Sequence, residues 1–376
     1  MLEVVDALAQ RHVAPRAREI DETDEFPGDV YAAMGAAGLF GLWVPEEYGG
    51  LGADLRTGLL VVERLARTSG ACSLIFANCS DGVGPLVMAG TAEQKERWLP
   101  GIATGDVIPC FALTEPDAGS DASAISTRAV RSGDEYVING NKIFCTNGSV
   151  GHVFVVFART SEGSRGLSAF LVPAGTDGLL IGKDEQMLGL RGCPATELRL
   201  DDVRVPASAL LGEEGRGLKI ALGSLDESRL NATAMALGVA RGALEIAVRY
   251  AREREQFGVP IIDHQGLMFL LAEMTTSLYS AWATLGHAID AMERERSRRT
   301  SVEAAMVKLH GTDVAMQLVV DAVQVLGGYG LARDFEVERM MRDAKAFQIF
   351  DGTNQIQKLI IGRALREGPL PLPSRW

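Results

Sequence analysis

The 376-residue sequence has five cysteines, Cys72, Cys79, Cys110, Cys145 and Cys193, but no CxxC pair and no Cys/His spacing that would hold a metal. An odd, scattered set reads as reduced thiols and a cytoplasmic setting. His12, His152, His264, His287 and His310 are equally dispersed, so no metal is expected. There is no GxGxxG after a strand-like run and no GxxxxGK[ST], which removes the Rossmann and P-loop nucleotide sites. Positive charge is scarce, with a net charge of −12. That balance argues against nucleic acid or an anionic membrane as partner, since both require clustered cations. The densest basic run, Arg294, Arg296, Arg298 and Arg299, is interleaved with Glu293 and Glu295 and reads as a solvated helix end. No apolar run reaches about 18 residues, so no membrane span is expected. The start lacks a charged n-region and an apolar h-region, so no signal peptide is expected either.

What is present is the composition of a soluble globular protein, 47% hydrophobic and 23% charged, with a length that suits two or three domains. The expected class is α+β, mostly α. Residues 1–107 read as helical, with an early stripe at Val5, Leu8, Ala9 and His12, a run from Leu59 to Ser69 and a capping box at Thr91-Ala92-Glu93-Gln94. Turns fall at Phe26-Pro27-Gly28 and from Pro45 to Gly52. From 108 to 212 short β-prone runs alternate with turn residues, which predicts a small antiparallel domain. These runs include Val107 to Leu113, Glu135 to Ile138, Lys142 to Cys145, Val153 to Ala158, Leu167 to Val172 and Glu197 to Val205. Asn139-Gly140 and Asn147-Gly148 look like hairpin turns. From 213 to 376 the helical period returns, near 214–253, 263–293, 301–326, 334–347 and 354–366.

Chemistry concentrates near the end. Two helical patterns meet at Asp351-Gly352-Thr353, where a carboxylate can project into a cavity beside the free N–H groups of the second helix. The structural alternative is that Asp351 and Thr353 only cap that helix. Earlier, Phe111 to Asp121 combines small residues and hydroxyls that let a backbone approach a phosphate or flavin edge, although a plain turn has the same composition. Arg252 and Arg254 end a long helix, where cations offset its dipole.

Eight segments, in order, resemble the acyl-CoA dehydrogenase family over nearly the whole chain. They are Pro45 to Gly50, Leu113 to Asp121, Asn139 to Lys142, Arg254 to Gly258, His264-Gln265, Gln324 to Gly328, Met341 to Lys345 and Gly352 to Gln357. The resemblance implies an N-terminal helical domain, a middle β domain and a C-terminal four-helix bundle, assembled as a homotetramer carrying FAD. By that likeness Phe111, Leu113, Thr114 and Ser120 line the flavin, with Phe144 and Thr146 against its ring. Arg254, Gln256, Phe257, His264, Gln265, Gln324 and Gly328 would reach a neighbouring subunit's FAD, and Thr353 and Gln355 would hold its adenosine end. Ser120 and the stretch containing Asp226 and Arg229 would contact the acyl-CoA or acyl-carrier thioester.

The mechanism implied is removal of a thioester α-proton by a carboxylate while hydrogen bonds stabilise the enolate and a β-hydride leaves to FAD. An electron-transfer flavoprotein would reoxidise the flavin. Two departures concern the base. Many members carry Glu where this chain has Asp351 and Tyr where it has Phe350; some instead carry the base where this chain has Ser228, which cannot serve. Asp351 is therefore the expected base, one methylene shorter, for a bulkier, cyclic or already unsaturated acyl group. Relatives that oxidise nitroalkanes use Asp at the matching place, which makes nitroalkane oxidation the alternative.

Overall fold

The computed structural model describes residues 1–163, 166–294 and 301–368. Of the basic run, all but Arg294 lies outside the described residues.

The chain opens with α1 (Leu2–Leu8), α2 (Ala17–Thr23), α3 (Gly28–Ala36), α4 (Leu55–Ala66), α5 (Gly70–Ala89) and α6 (Ala92–Thr104). The α6 capping box forms as expected, Thr91 and Gln94 each accepting the other's backbone N–H. The first apolar stripe is displaced by one residue. Val5, Leu8 and Ala9 are buried, but His12 is exposed and Val13 is buried in its place. A π-helical turn over Ala9–Val13 rotates the face by the extra residue. Two helical stretches, Gly70–Ala89 and Ser301–Leu331, are long and apolar enough by composition to cross a membrane, contrary to the expectation from the bare sequence. In this fold the first is 72% buried, packed against α4, β1 and a later helix, so its apolarity is that of a core helix.

One sheet follows: β1 (Pro109–Ala112), β2 (Arg128–Ser132), β3 (Glu135–Thr146), β4 (Val153–Arg159), β5 (Leu167–Pro173), β6 (Leu179–Asp184), β7 (Ala195–Pro206) and β8 (Leu210–Leu211). Its order is β6-β7-β3-β2-β4-β5-β8, with β1 added to β4. Pairing is antiparallel except where β1 and one residue of β2 run parallel to β4. Asn139-Gly140 is not a hairpin. It sits inside β3 at a register shift against β7, and a Cβ on Gly140 would collide with Thr127, so the glycine serves a bulge. The hairpin of β2 and β3 turns instead at Gly133-Asp134. Asn147-Gly148 leads into a short 3-10 turn, Gly148–Val150, because Asn147 takes a left-handed φ of 59°.

The last part holds α7 (Gly217–Glu253), a hairpin of β9 (Glu255–Gln256) and β10 (Val259–Pro260), α8 (Gln265–Arg294), α9 (Ser301–Leu326), α10 (Val337–Phe347) and α11 (Asn354–Glu367). Helix α9 packs against α7, α8, α10 and α11, and α7 reaches back to α4 and α5. One buried apolar cluster extends from Val5 to Phe347. A polar clasp joins distant stretches of chain. Arg342 on α10 donates to both oxygens of Asp21 on α2, at 2.8 and 2.6 Å. Arg191, before β7, pairs with Asp24 at 3.2 Å, and the Leu190 N–H donates to buried Asp343 at 2.6 Å.

Candidate active site

Asp351 lies between α10 and α11 with a left-handed φ of 53°, followed by Gly352 at 85°. Capping falls to Thr353, whose hydroxyl accepts the Ile356 N–H at 3.3 Å. Asp351 is thus not the cap, and its backbone is pinned from two sides. Gln357 Nε2 donates to the carbonyls of Asp351 (3.3 Å) and Gly352 (2.7 Å), while Lys308 Nζ on α9 donates to Gly352 O and Asn354 Oδ1, both at 2.9 Å. A side chain at 352 would press on Gln357 Nε2, 2.9 Å from an added Cβ, so the turn requires glycine.

The Asp351 carboxyl faces the space between α5 and α7, with Ser228, Arg229 and Asp81 as neighbours. Asp81 on α5 faces the same space, and Ser228 Oγ on α7 donates to Asp81 Oδ2 at 3.4 Å. Both residues are half-buried. Burial raises the Asp351 pKa above the ordinary aspartate value, an effect that the Ser228 hydroxyl, Lys308 and Arg229 partly offset. Asp81 is pushed well above that value by burial, then by the charge of Asp351, with a smaller push from Glu227; the Ser228 hydroxyl opposes these. Burial lowers Lys308 to about 8 although Asp351 pulls the other way. Arg229 donates to Asp226 Oδ1 at 2.6 Å, and its buried Nε has no hydrogen-bond partner among the described residues.

A wall of β1 and β3 adjoins this cleft. Lys142 Nζ donates to Leu113 O at 3.0 Å and Ile143 N–H to Thr114 O at 3.0 Å, bringing the end of β1 beside Phe144 and Thr146. Asn78 Nδ2 on α5 donates to Thr146 O at 3.3 Å, one helical turn before Asp81. Phe111 packs on Phe157 with ring centroids 4.9 Å apart, and Leu113 is buried. Phe144 is 51% exposed with a left-handed φ of 56°, a rare conformation for an aromatic residue. An exposed phenyl ring on β3, with the half-buried Thr114 and Thr146 on the same wall, suits the face and polar edge of a flavin, so the residues present fit FAD.

Ser120 lies on an exposed turn after β1. Arg254, Gln256, Phe257, His264 and Gln265 cluster around the β9–β10 hairpin, with His264 within 3.2 Å of Gln256 O. Phe257 is 96% exposed at φ 56°. Gln324 and Gly328 are exposed at the end of α9, and Gln355 is exposed on the first turn of α11. The chain alone therefore brings Asp351 near Arg229, which Asp226 holds, ties the β1–β3 wall to α5 through Asn78, and leaves the hairpin group on the surface.

Sequence reasoning missed Asp81, Lys308, Asn354 and Gln357. Asp81 had one signal: it is an acid in an otherwise apolar, small-residue helix. Lys308 had a comparable one, as a lysine in the buried stripe of α9.

Comparison with known proteins bears on the whole chain. Family models for the acyl-CoA dehydrogenase N-terminal, middle and C-terminal domains match residues 1–106, 110–203 and 215–366. An acyl-CoA dehydrogenase of Bacillus subtilis is 43% identical, covering 98% of this chain and 97% of its own. The cyclohex-1-ene-1-carbonyl-CoA dehydrogenase of Syntrophus aciditrophicus is 42% identical, covering 97% and 89%. Among solved structures, butyryl-CoA dehydrogenase from Megasphaera elsdenii superposes with a TM-score of 0.93 at 37% identity, covering 97% of both chains. A structure described for the electron transferring flavoprotein of Acidaminococcus fermentans gives 0.94 at 41% identity, covering 96% of both. An acyl-CoA dehydrogenase from Bacillus anthracis complexed with FAD gives 0.91 at 32%, covering 97% of this chain and 66% of that one. Family models that together span nearly the whole chain, and relatives above 40% identical that share it end to end, identify the chain as a member of the acyl-CoA dehydrogenase family, an FAD-dependent oxidoreductase acting on acyl-CoA.

Proposed function

We propose that Asp351 removes the α-proton of an acyl thioester whose β-hydride leaves to the flavin, giving an enoyl thioester. The observation that carries this is the placement of Asp351: a left-handed turn pinned by Gln357 and Lys308 aims a carboxyl of raised proton affinity into the cleft. A base is more effective when its pKa approaches the working pH, and burial moves Asp351 in that direction. FAD, when bound, supplies the hydride acceptor. Phe111, Leu113, Thr114, Ser120, Phe144 and Thr146 would hold it from this chain, and Thr353 and Gln355 would hold an adenosine end. Arg229 would orient the thioester and Asp226 would fix Arg229, their 2.6 Å ion pair leaving the guanidinium Nε free.

The substrate class proposed is a CoA thioester with a bulky, cyclic or already unsaturated acyl group. The shorter Asp displaces the basic oxygen relative to Glu, and the Syntrophus relative acts on such a ring. The exposed Phe257 hairpin, with Arg254, Gln256, His264, Gln265, Gln324 and Gly328, supports a homotetramer in which these residues reach a neighbour's FAD. A cytoplasmic location, an electron-transfer flavoprotein as oxidant and divisions near residues 107 and 212 complete the reading. Nitroalkane oxidation is the second reading, favoured by the base being Asp. Anaerobic mixing of the purified yellow protein with butyryl-CoA, cyclohex-1-ene-1-carbonyl-CoA and nitroethane decides between them. Flavin bleaching by a thioester is expected; bleaching by nitroethane alone overturns the proposal.

A further inference from the structure

Asp81 is absent from the catalytic scheme above, yet it shares the cleft with the base. It sits on α5, one turn past the Asn78 that holds the β3 wall, and its carboxyl accepts from Ser228, whose hydroxyl also helps stabilise the charge of Asp351. Two carboxylates around one hydroxyl cannot both remain charged in an enclosed space without cations to match. Among the described residues, Arg229 and Lys308 are the cations that act on Asp351. On α7, Arg229 is engaged by Asp226, and Glu227 adds negative charge. On α9, Lys308 uses its donors on Gly352 O and Asn354 Oδ1, with Asp313 behind it.

We infer that Asp81 is a positioning residue for proton transfer: through Ser228 it shares one proton with Asp351 and so sets the proton affinity of the base. This rests on the reading of Asp351 as base. In the resting pair one proton and one negative charge are held, the proton on Asp81. When the α-C–H bond breaks, its electron pair stays on the substrate and the proton goes to Asp351, so the pair passes from one proton to two. FAD, when bound, would supply the two-electron acceptor for the β-hydride, so charge and electrons balance. The arrangement gives a short aspartate a neighbour that donates rather than repels while the base is charged.

Infrared titration of the FAD-loaded protein tests the pairing without turnover. The wild type should show, at neutral pH, a protonated-carboxyl band that disappears in Asp81→Asn. In Asp351→Asn the same band should titrate at a pH lower by about one unit or more, because the neighbouring charge that held the proton is gone. In Ser228→Ala it should titrate higher, since the hydroxyl favours the charged form. A neutral-pH spectrum unchanged by Asp81→Asn, or an Asp81 titration indifferent to Asp351→Asn, overturns the inference. The base assignment is judged separately by flavin bleaching in Asp351→Asn, so the two claims fail independently.

Discussion

Two enclosed acid sites, opposite in partnership, show what separates a structural carboxylate from a chemical one. Glu115, below β1, accepts from Ser126 N (2.6 Å), Ser126 Oγ (2.7 Å), Thr127 N (3.0 Å) and Lys142 Nζ (2.8 Å). Burial would raise its pKa, but Lys142 and these donors prevail and hold it at about 2. Asp351 and Asp81 have one serine hydroxyl between them, and although Lys308 and Arg229 favour the charged form of Asp351, burial prevails and both pKa values rise. Glu115 is satisfied and stays charged at any working pH. The cleft pair is undersupplied with donors, and an undersupplied carboxylate is one that takes a proton.

Substitution can break that contrast at three scales. The largest effect is expected for Asp351→Asn, which should slow flavin bleaching by acyl-CoA on the order of 100- to 10,000-fold while the protein remains yellow; retained bleaching would remove Asp351 as base. Next is Lys142→Met, which leaves Glu115 buried without its cation and should cost about 3–5 kcal/mol in urea unfolding. The pH dependence has a definite sign. A carboxyl depressed to about 2 contributes stability above its unfolded value, about 4.3, and that stability is lost as pH falls through this window toward about 2. In Lys142→Met most of that acid dependence should vanish. Smallest is Thr353→Ala, which removes the α11 cap and should lower stability by about 1 kcal/mol, read as a shift in Tm. If Asp351→Asn lowered Tm as much as Thr353→Ala, Asp351 would be a structural residue after all.

Much of the fold was legible because its local signals were strong. The α6 capping box, the junction at Asp351 and the long helical periods are all present where the residues placed them. Errors arose where one inserted residue changed a local rule. The π turn moved the first stripe from His12 to Val13, and the bulge at Gly140 made one strand of what read as a hairpin. Asp351 could be found from sequence because it interrupts a helical pattern. Asp81 could not, because its meaning depends on α7 bringing Ser228 across from nearly 150 residues away, as |i−j| = 147. Partnership between distant helices leaves no periodic trace in either one.

The clasp at Asp21, Asp24, Arg191, Arg342 and Asp343 has a consequence for how the molecule comes apart. It ties an early helix, the loop before β7 and a late helix at one point, across sequence separations as large as 321 residues. No one of the three stretches can detach without breaking the bonds of the other two. A protease nick in a surface loop should therefore leave the fragments together, and melting should proceed as one cooperative event, with the Asp351 turn after α10 lost only when the whole assembly goes.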